Sequence, residues 1–223
     1  MVVARTSKIL ALLSLAQPLA ADPALCPNGA VTTLTDSPAL HDRICRASDR
    51  AVSLFGDCGF ALPEPVEITT TSRIEPKCFG VFHCGEARID LLTPEAMDAI
   101  REEDSLFAPI ETDAYFDSVV VHELAHALYD GTDCPYPNCL ATSEYFAYSY
   151  QIMSFSDADR AALEAGIDME RTISRDYVVG ILAVMSPDVF ARRVWQHVSQ
   201  RDDQCAWLGG ILSGAIVFDH DYP

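Results

Sequence analysis

Two histidines, His122 and His126, stand four residues apart, with Glu123 beside the first, in the stretch VVVHELAHALYDG over residues 119–131. On a helix, side chains four apart leave the same face, one turn above the other. Both imidazoles can then serve one metal ion. Glu123 points to the side of the pair, where it could reach a water on that ion without being a ligand. A zinc ion with three protein ligands and one water lowers the pKa of that water to about 7. Glu123 would take the proton as the water attacks a carbonyl and pass it to the leaving amine. The metal would polarise the carbonyl and hold the developing oxyanion. These residue types in this order point to Zn2+ bound by His122 and His126, with Glu123 as general base and a peptide or protein as substrate.

Residues 119–131 resemble the HExxH zinc peptidases, the zincins. Among them, the type that places a glycine three residues past the second histidine and a third histidine beyond it is excluded, because Tyr129 and Thr132 occupy those positions. A Gly-Thr-x-Asp type is echoed by Gly131-Thr132-Asp133, but Asp133 follows His126 too closely. In the gluzincin type the third ligand is a glutamate on the next helix. Glu144 matches, 18 residues after His126, and is the sole carboxylate between Asp133 and Asp157. The resemblance thus implies His122, His126 and Glu144 as the metal set. It also implies an aspartate at 148 to support the first histidine, where Tyr148 stands instead. Asp117, Asp130 or a backbone carbonyl would then orient the histidines. Tyr148, one turn after Glu144, is the first candidate for an oxyanion partner, ahead of Tyr136, Tyr145 and His83. In zincins a strand beside the active-site helix pairs with extended substrate, and residues 79–92 are the candidate. The chain as a whole resembles a small exported bacterial type of such enzyme. Two other readings keep the scaffold: a catalytically silent envelope-binding protein, and an amidase acting on cell-wall peptides.

The elements that must hold these residues read as α+β, with strands in the N-terminal half and helices in the C-terminal half. Ser37-Pro38 starts a helix reaching Leu54. Residues 65–74 are rich in β-branched types, and 79–92 form a hairpin turning near Gly85-Glu86. Thr93-Pro94 opens a short helix to about Glu103. Thr112-Asp113 is placed to cap the motif helix and Gly131 to end it. On that helix Val121, Leu124, Ala125 and Leu128 form an apolar stripe opposite the histidines. Thr142 or Ser143 would cap the Glu144 helix, putting Glu144 in its first turn. Further helices are expected near 142–154, 156–166, 172–185 and 187–199.

The first 21 residues carry Arg5 and Lys8, an apolar run over 9–16 and a small-residue exit over 18–21. That is the pattern of a secretory signal peptide cleaved after Ala20 or Ala21, leaving residues 22–223 as one zincin-like domain. The apolar run is far short of the ~20 residues that span a bilayer, so no stable membrane insertion is expected and the mature chain is placed as secreted or periplasmic. All eight cysteines follow residue 21, and an even count in an exported chain reads as disulfides. Two local pairs are expected, Cys78–Cys84 and Cys134–Cys139. A formal charge of −18 argues against nucleic acid as a partner. His41, His197 and His220 lack companions at ligand spacing.

Overall fold

Ser37 accepts a hydrogen bond from Leu40 N–H, and Pro38 takes the first helical position, where its missing N–H is no loss. The helix so started, α1 (Pro38–Asp57), is the crossover between two parallel strands, β2 (Val31–Leu34) and β3 (Val66–Thr71). Parallel neighbours need such a connection because no tight turn can reverse the chain direction twice. The computed structural model describes residues 22–75 and 78–219. The expected signal peptide, residues 1–21, lies outside them, as does His220.

The fold is α+β. Its sheet has the order β1-β2-β3-β5-β4, completed by β1 (Ala24–Leu25), β4 (Gly80–His83) and β5 (Arg88–Leu92). β5 runs parallel to β3, while β4 folds back antiparallel on β5 and forms one edge. The hairpin turn falls where the sequence indicated, with positive φ at Gly85 and Ala87. Helix α2 (Pro94–Ile100) is capped by the Thr93 side chain.

The motif lies on α3 (Thr112–Tyr129), which packs against α1, β4 and α4 (Leu140–Met153). Thr112 and Asp113 do not cap it. The Thr112 hydroxyl donates to Asp98 and Asp113 pairs with Arg43, so both side chains tie α3 to its neighbours instead. Nor is α3 amphipathic. It is buried on nearly every side, from Tyr115 and Phe116 through Tyr129, and the histidine face is enclosed as well. A helix apolar all round belongs in a core. Phe116 on α3 and Phe55, Phe146 and Tyr150 on its neighbours are fully buried, and each such aromatic side chain contributes about 1.5–3 kcal/mol.

Beyond α4, α5 (Asp157–Glu164) begins at the capping Ser156, and α7 (Pro187–Ser199) begins at Pro187. The single helix expected over 172–185 is instead a 3-10 turn (Arg175–Tyr177) and a short α6 (Gly180–Met185). The break lets Ile173 and Val178 both turn inward and bury. A last helix, α8 (Gln204–Leu212), capped by Asp203, was not anticipated.

Three disulfides join Cys26–Cys45, Cys58–Cys205 and Cys134–Cys139. The second spans 147 residues and is worth about 5 kcal/mol in the chain-entropy view, against roughly 2 kcal/mol for the short Cys134–Cys139 loop. The expected Cys78–Cys84 bridge does not form, and both thiols are free. The residues between them are the extended strand β4 rather than a turn. At ~3.3 Å per residue such a strand holds its ends far beyond disulfide reach.

Candidate metal centre

His122 and His126 turn inward from consecutive turns of α3, with Nε2 to Nε2 at 3.0 Å. From α4, the Glu144 carboxylate reaches both, 3.6 Å from each Nε2. The structure therefore brings together all three residues that the sequence nominated as ligands.

The imidazole tautomers follow from the groups behind them. His122 Nδ1 lies 3.0 Å from Gln151 Oε1, and the Gln151 amide in turn donates to Ser118 Oγ. Ser118 passes its own proton to Tyr115 O, which fixes the direction of the chain. His122 Nδ1–H is thus the donor and its Nε2 a free acceptor. His126 Nδ1 lies 2.8 Å from Ser143 Oγ, and donation there again leaves Nε2 as the acceptor. Two imidazole acceptors and the Glu144 carboxylate, once ionised, then face one another, a donor set that could hold a cation. Zinc bonds of 2.0–2.1 Å in tetrahedral geometry place ligand atoms about 3.3 Å apart. The two Nε2 atoms stand 3.0 Å apart, each lies 3.6 Å from a different Glu144 oxygen, and one ligand atom from each residue lies within 4.8 Å of the others, a spacing that one ion can bridge.

Asp117 and Asp130, considered for the supporting role, are engaged elsewhere. Asp117 pairs with Arg43, and Asp130 accepts from Gly85 N–H and so ties the hairpin turn to the end of α3. Gln151 and Ser143 do the supporting work. Gln151 lies two turns beyond Glu144 on the same face, a spacing legible in the sequence, whereas the family resemblance points to an aspartate at 148 for this part. Glu144 itself sits in the second turn of α4, not the first. The helix starts at Leu140 and is capped from the far end of the chain, where Asp219 accepts from the backbone of Ala141 and Thr142 and from the Thr142 hydroxyl.

Glu123 is buried beside the pair, 5 % exposed, and the backbone N–H of Phe82 on β4 faces its carboxylate and favours the ionised form. In the β4–β5 register, Leu92 N–H donates to Phe79 O, so residues 79, 81 and 83 bond to β5 while 80 and 82 turn their backbone groups outward. That geometry delivers the Phe82 N–H to Glu123. It also explains Gly80, where a Cβ would lie 2.7 Å from Glu123 Cγ and Oε1. Nothing local in the sequence marks Gly80 for that role.

Burial governs the charges. It pushes Glu123 up to about 8, with the Glu144 charge adding to the effect, and raises Glu144 to about 7. It also lowers His126 to about 4 and His122 well below its usual value. A divalent cation reverses this logic by favouring ionised carboxylates and neutral imidazoles.

Tyr148 packs edge-on against the His122 ring at 4.7 Å and lines the same cleft of about 380 Å³ as the histidines and both glutamates. Burial holds its phenol well above its ordinary pKa, so it stays a donor. Of the other candidates, Tyr145 is buried with His197 and Trp207, and His83 pairs with Asp90 on the hairpin. His41 bonds Thr33 and His197 bonds Tyr145, as satisfied residues should. Cys26, His41 and Cys45 also cluster, but both sulfurs are consumed by their disulfide.

No curated protein and no solved structure matches the chain. The three disulfides fit an oxidising compartment, and no described helix is long and apolar enough to cross a membrane. Residues 31–221, which include every ligand candidate and the capping Asp219, match one family model, and the chain belongs to that family of unknown function, DUF6639.

Proposed function

We propose that the protein is an exported zinc metallopeptidase of gluzincin-like type. The observation that carries this reading is the convergence of two imidazole acceptors and one carboxylate on a single point, with a second carboxylate, Glu123, buried alongside in the same cleft. His122, His126 and Glu144 would hold the zinc. When bound, zinc supplies Lewis-acid polarisation of a carbonyl and makes water acidic at neutral pH.

The remaining work falls to the chain. Glu123, facing Phe82 N–H, keeps lone pairs to accept a proton from water and deliver it to the leaving nitrogen. The Tyr148 hydroxyl faces the cleft as a donor for the oxygen that gains charge. The Gly80 backbone groups and the Phe82 carbonyl, which face away from β5, give β4 an edge to which an extended peptide can add as a strand. The N-terminal segment of residues 1–21 supports cleavage of a signal peptide and a secreted or periplasmic location. The alternative of a silent binder has no use for a buried carboxylate set where a base belongs.

The test is chelator-reversible cleavage of a mixed peptide library by the purified zinc-loaded protein. Turnover should fall on the order of 10²–10⁴-fold in Glu123→Gln with zinc content unchanged. Equal processing by the zinc-loaded variant would sink the mechanism.

A further inference from the structure

The cleft extends away from the metal centre between α3, the loop before it and the start of α7. Its walls there are aromatic. Phe107 and Tyr148 present nearly parallel rings, centroids 6.5 Å apart, and Tyr115 tilts against Phe107 at 5.5 Å. Asp188, the second residue of α7, lines the same arm. Its carboxylate accepts from Leu106 N–H and lies close enough to both the Tyr115 and Tyr148 phenols to act on them. Glu102 and Asp104, in the preceding loop, add negative charge beside it.

A helix N-terminus favours any first-turn acid, but such an acid normally stays in water. Asp188 is half-buried against rings, where desolvation works against its charge. The charge count sharpens the point. A zinc ion is balanced by Glu123 and Glu144, which leaves Asp188 as the unbalanced charge of the cleft. Arg192 acts on it, but is engaged with the Gly166 carbonyl on the exposed side. Aromatic faces next to an unbalanced carboxylate attract a cation through both the ring quadrupole and the charge.

We propose that this arm of the cleft binds a basic side chain, lysine- or arginine-like, of a peptide lying against the metal centre. The cation would sit between Asp188 and the rings of Phe107 and Tyr148, since the Arg101 guanidinium already lies over the Tyr115 ring at 5.1 Å. The proposal rests on the peptidase reading for what then happens to the bound peptide. It makes substrates with a basic residue next to the scissile bond the preferred class.

Two measurements separate the proposal from the reading beneath it. Calorimetric binding of N-acetyl-argininamide, N-acetyl-lysinamide and N-acetyl-leucinamide to zinc-loaded protein should favour the cations by about tenfold or more. That preference should weaken with salt and vanish in Asp188→Asn. Asp188→Ser, which removes the charge but keeps a small polar side chain in the first turn of α7, guards against a folding defect. In the peptide library, cleavage beside lysine or arginine should exceed cleavage beside leucine by a similar factor, and Asp188→Asn should lose that preference with its zinc intact. Leucinamide binding as tightly as argininamide, no binding by any of the three, or an unchanged ratio in both Asp188 variants would overturn the basic-side-chain assignment. Cation-selective binding without cleavage of any peptide would uphold the pocket and remove the peptidase reading.

Discussion

The two helices that meet at the proposed metal centre contribute to it differently. On α3, two of the proposed ligands and the proposed base lie within five consecutive residues, and helical geometry alone puts them together. On α4, the single ligand Glu144 is accompanied by Ser143 and Gln151, which serve not their own helix but the Nδ1 atoms of the α3 histidines. Helix α4 is itself held at its start by Asp219, more than seventy residues away. The difference teaches that α3 supplies reactive groups and α4 supplies their orientation. The direct partner of each Nδ1 atom comes from α4, although the direction of the Gln151 bond is set back on α3 by Ser118.

Four results would break or sharpen that comparison. The largest effect should come from Glu144→Ala. Dividing the roughly 10–16 kcal/mol of a structural zinc site among its ligands gives about 3 kcal/mol for one, on the order of a hundred- to a thousandfold in affinity. Retention of stoichiometric zinc through a chelator challenge in that variant would mean that α3 binds metal without its partner.

A pH titration should show the next largest change. Glu144 keeps its proton up to about 7, whereas His126 is neutral down to about 4. Zinc binding in that window displaces one proton from Glu144 and favours loss of a second from Glu123, which stands at about 8, so affinity should rise at least about tenfold per pH unit between 5 and 7 and level only above about 8. The sign agrees with stability. A carboxyl whose folded pKa lies above its usual 4.5 loses stability for the metal-free fold as pH rises from 4.5 to about 7. The thermal shift on adding zinc should therefore widen over the same range. A shift that is flat from pH 5 to 7 would contradict the assignment of Glu144 as the protonated ligand.

Gln151→Leu and Ser143→Ala remove the orienting groups and leave all ligands in place. Each should weaken zinc binding by about 10–100-fold, and Gln151→Leu, which breaks the buried chain to Ser118, should be the stronger. Affinity unchanged in both variants would show that α3 positions its histidines unaided.

The smallest effect belongs to Asp219→Ala. Losing the cap on α4 should cost about 1–2 kcal/mol, a fall of roughly 2–8 °C in unfolding temperature for a chain of this size. Zinc affinity should change little. A metal-binding defect as large as that of Gln151→Leu would place Asp219 in the site rather than under it.

How much was legible follows from the same contrast. Ser37-Pro38, the hairpin turn at Gly85 and the Thr93 cap were readable because each signal and its structural consequence lie within a few residues. Apart from α8, whose Asp203 cap is local, the differences involve distant partners. A Cys78–Cys84 bridge would need a turn between the two cysteines, where pairing with β5 instead draws out strand β4. The stripe on α3 looked one-sided because the burial of its other faces comes from β4, α1 and α4. Gly80 carries no sign of its role, since that role is to leave room for Glu123 from another element.

The residues 122–126 and their helical period determined that two imidazoles and a carboxylate would share one face, because a 3.6-residue turn does this wherever a helix forms. The sequence also offered Glu144 as a third carboxylate at a workable distance. Tertiary structure alone decided that Glu144 reaches both Nε2 atoms, that Ser143 and Gln151 hold the Nδ1 atoms, and that β4 presents Phe82 N–H to Glu123. Those are contacts between elements far apart in the chain, settled by how apolar faces and paired strands pack rather than by any local spacing.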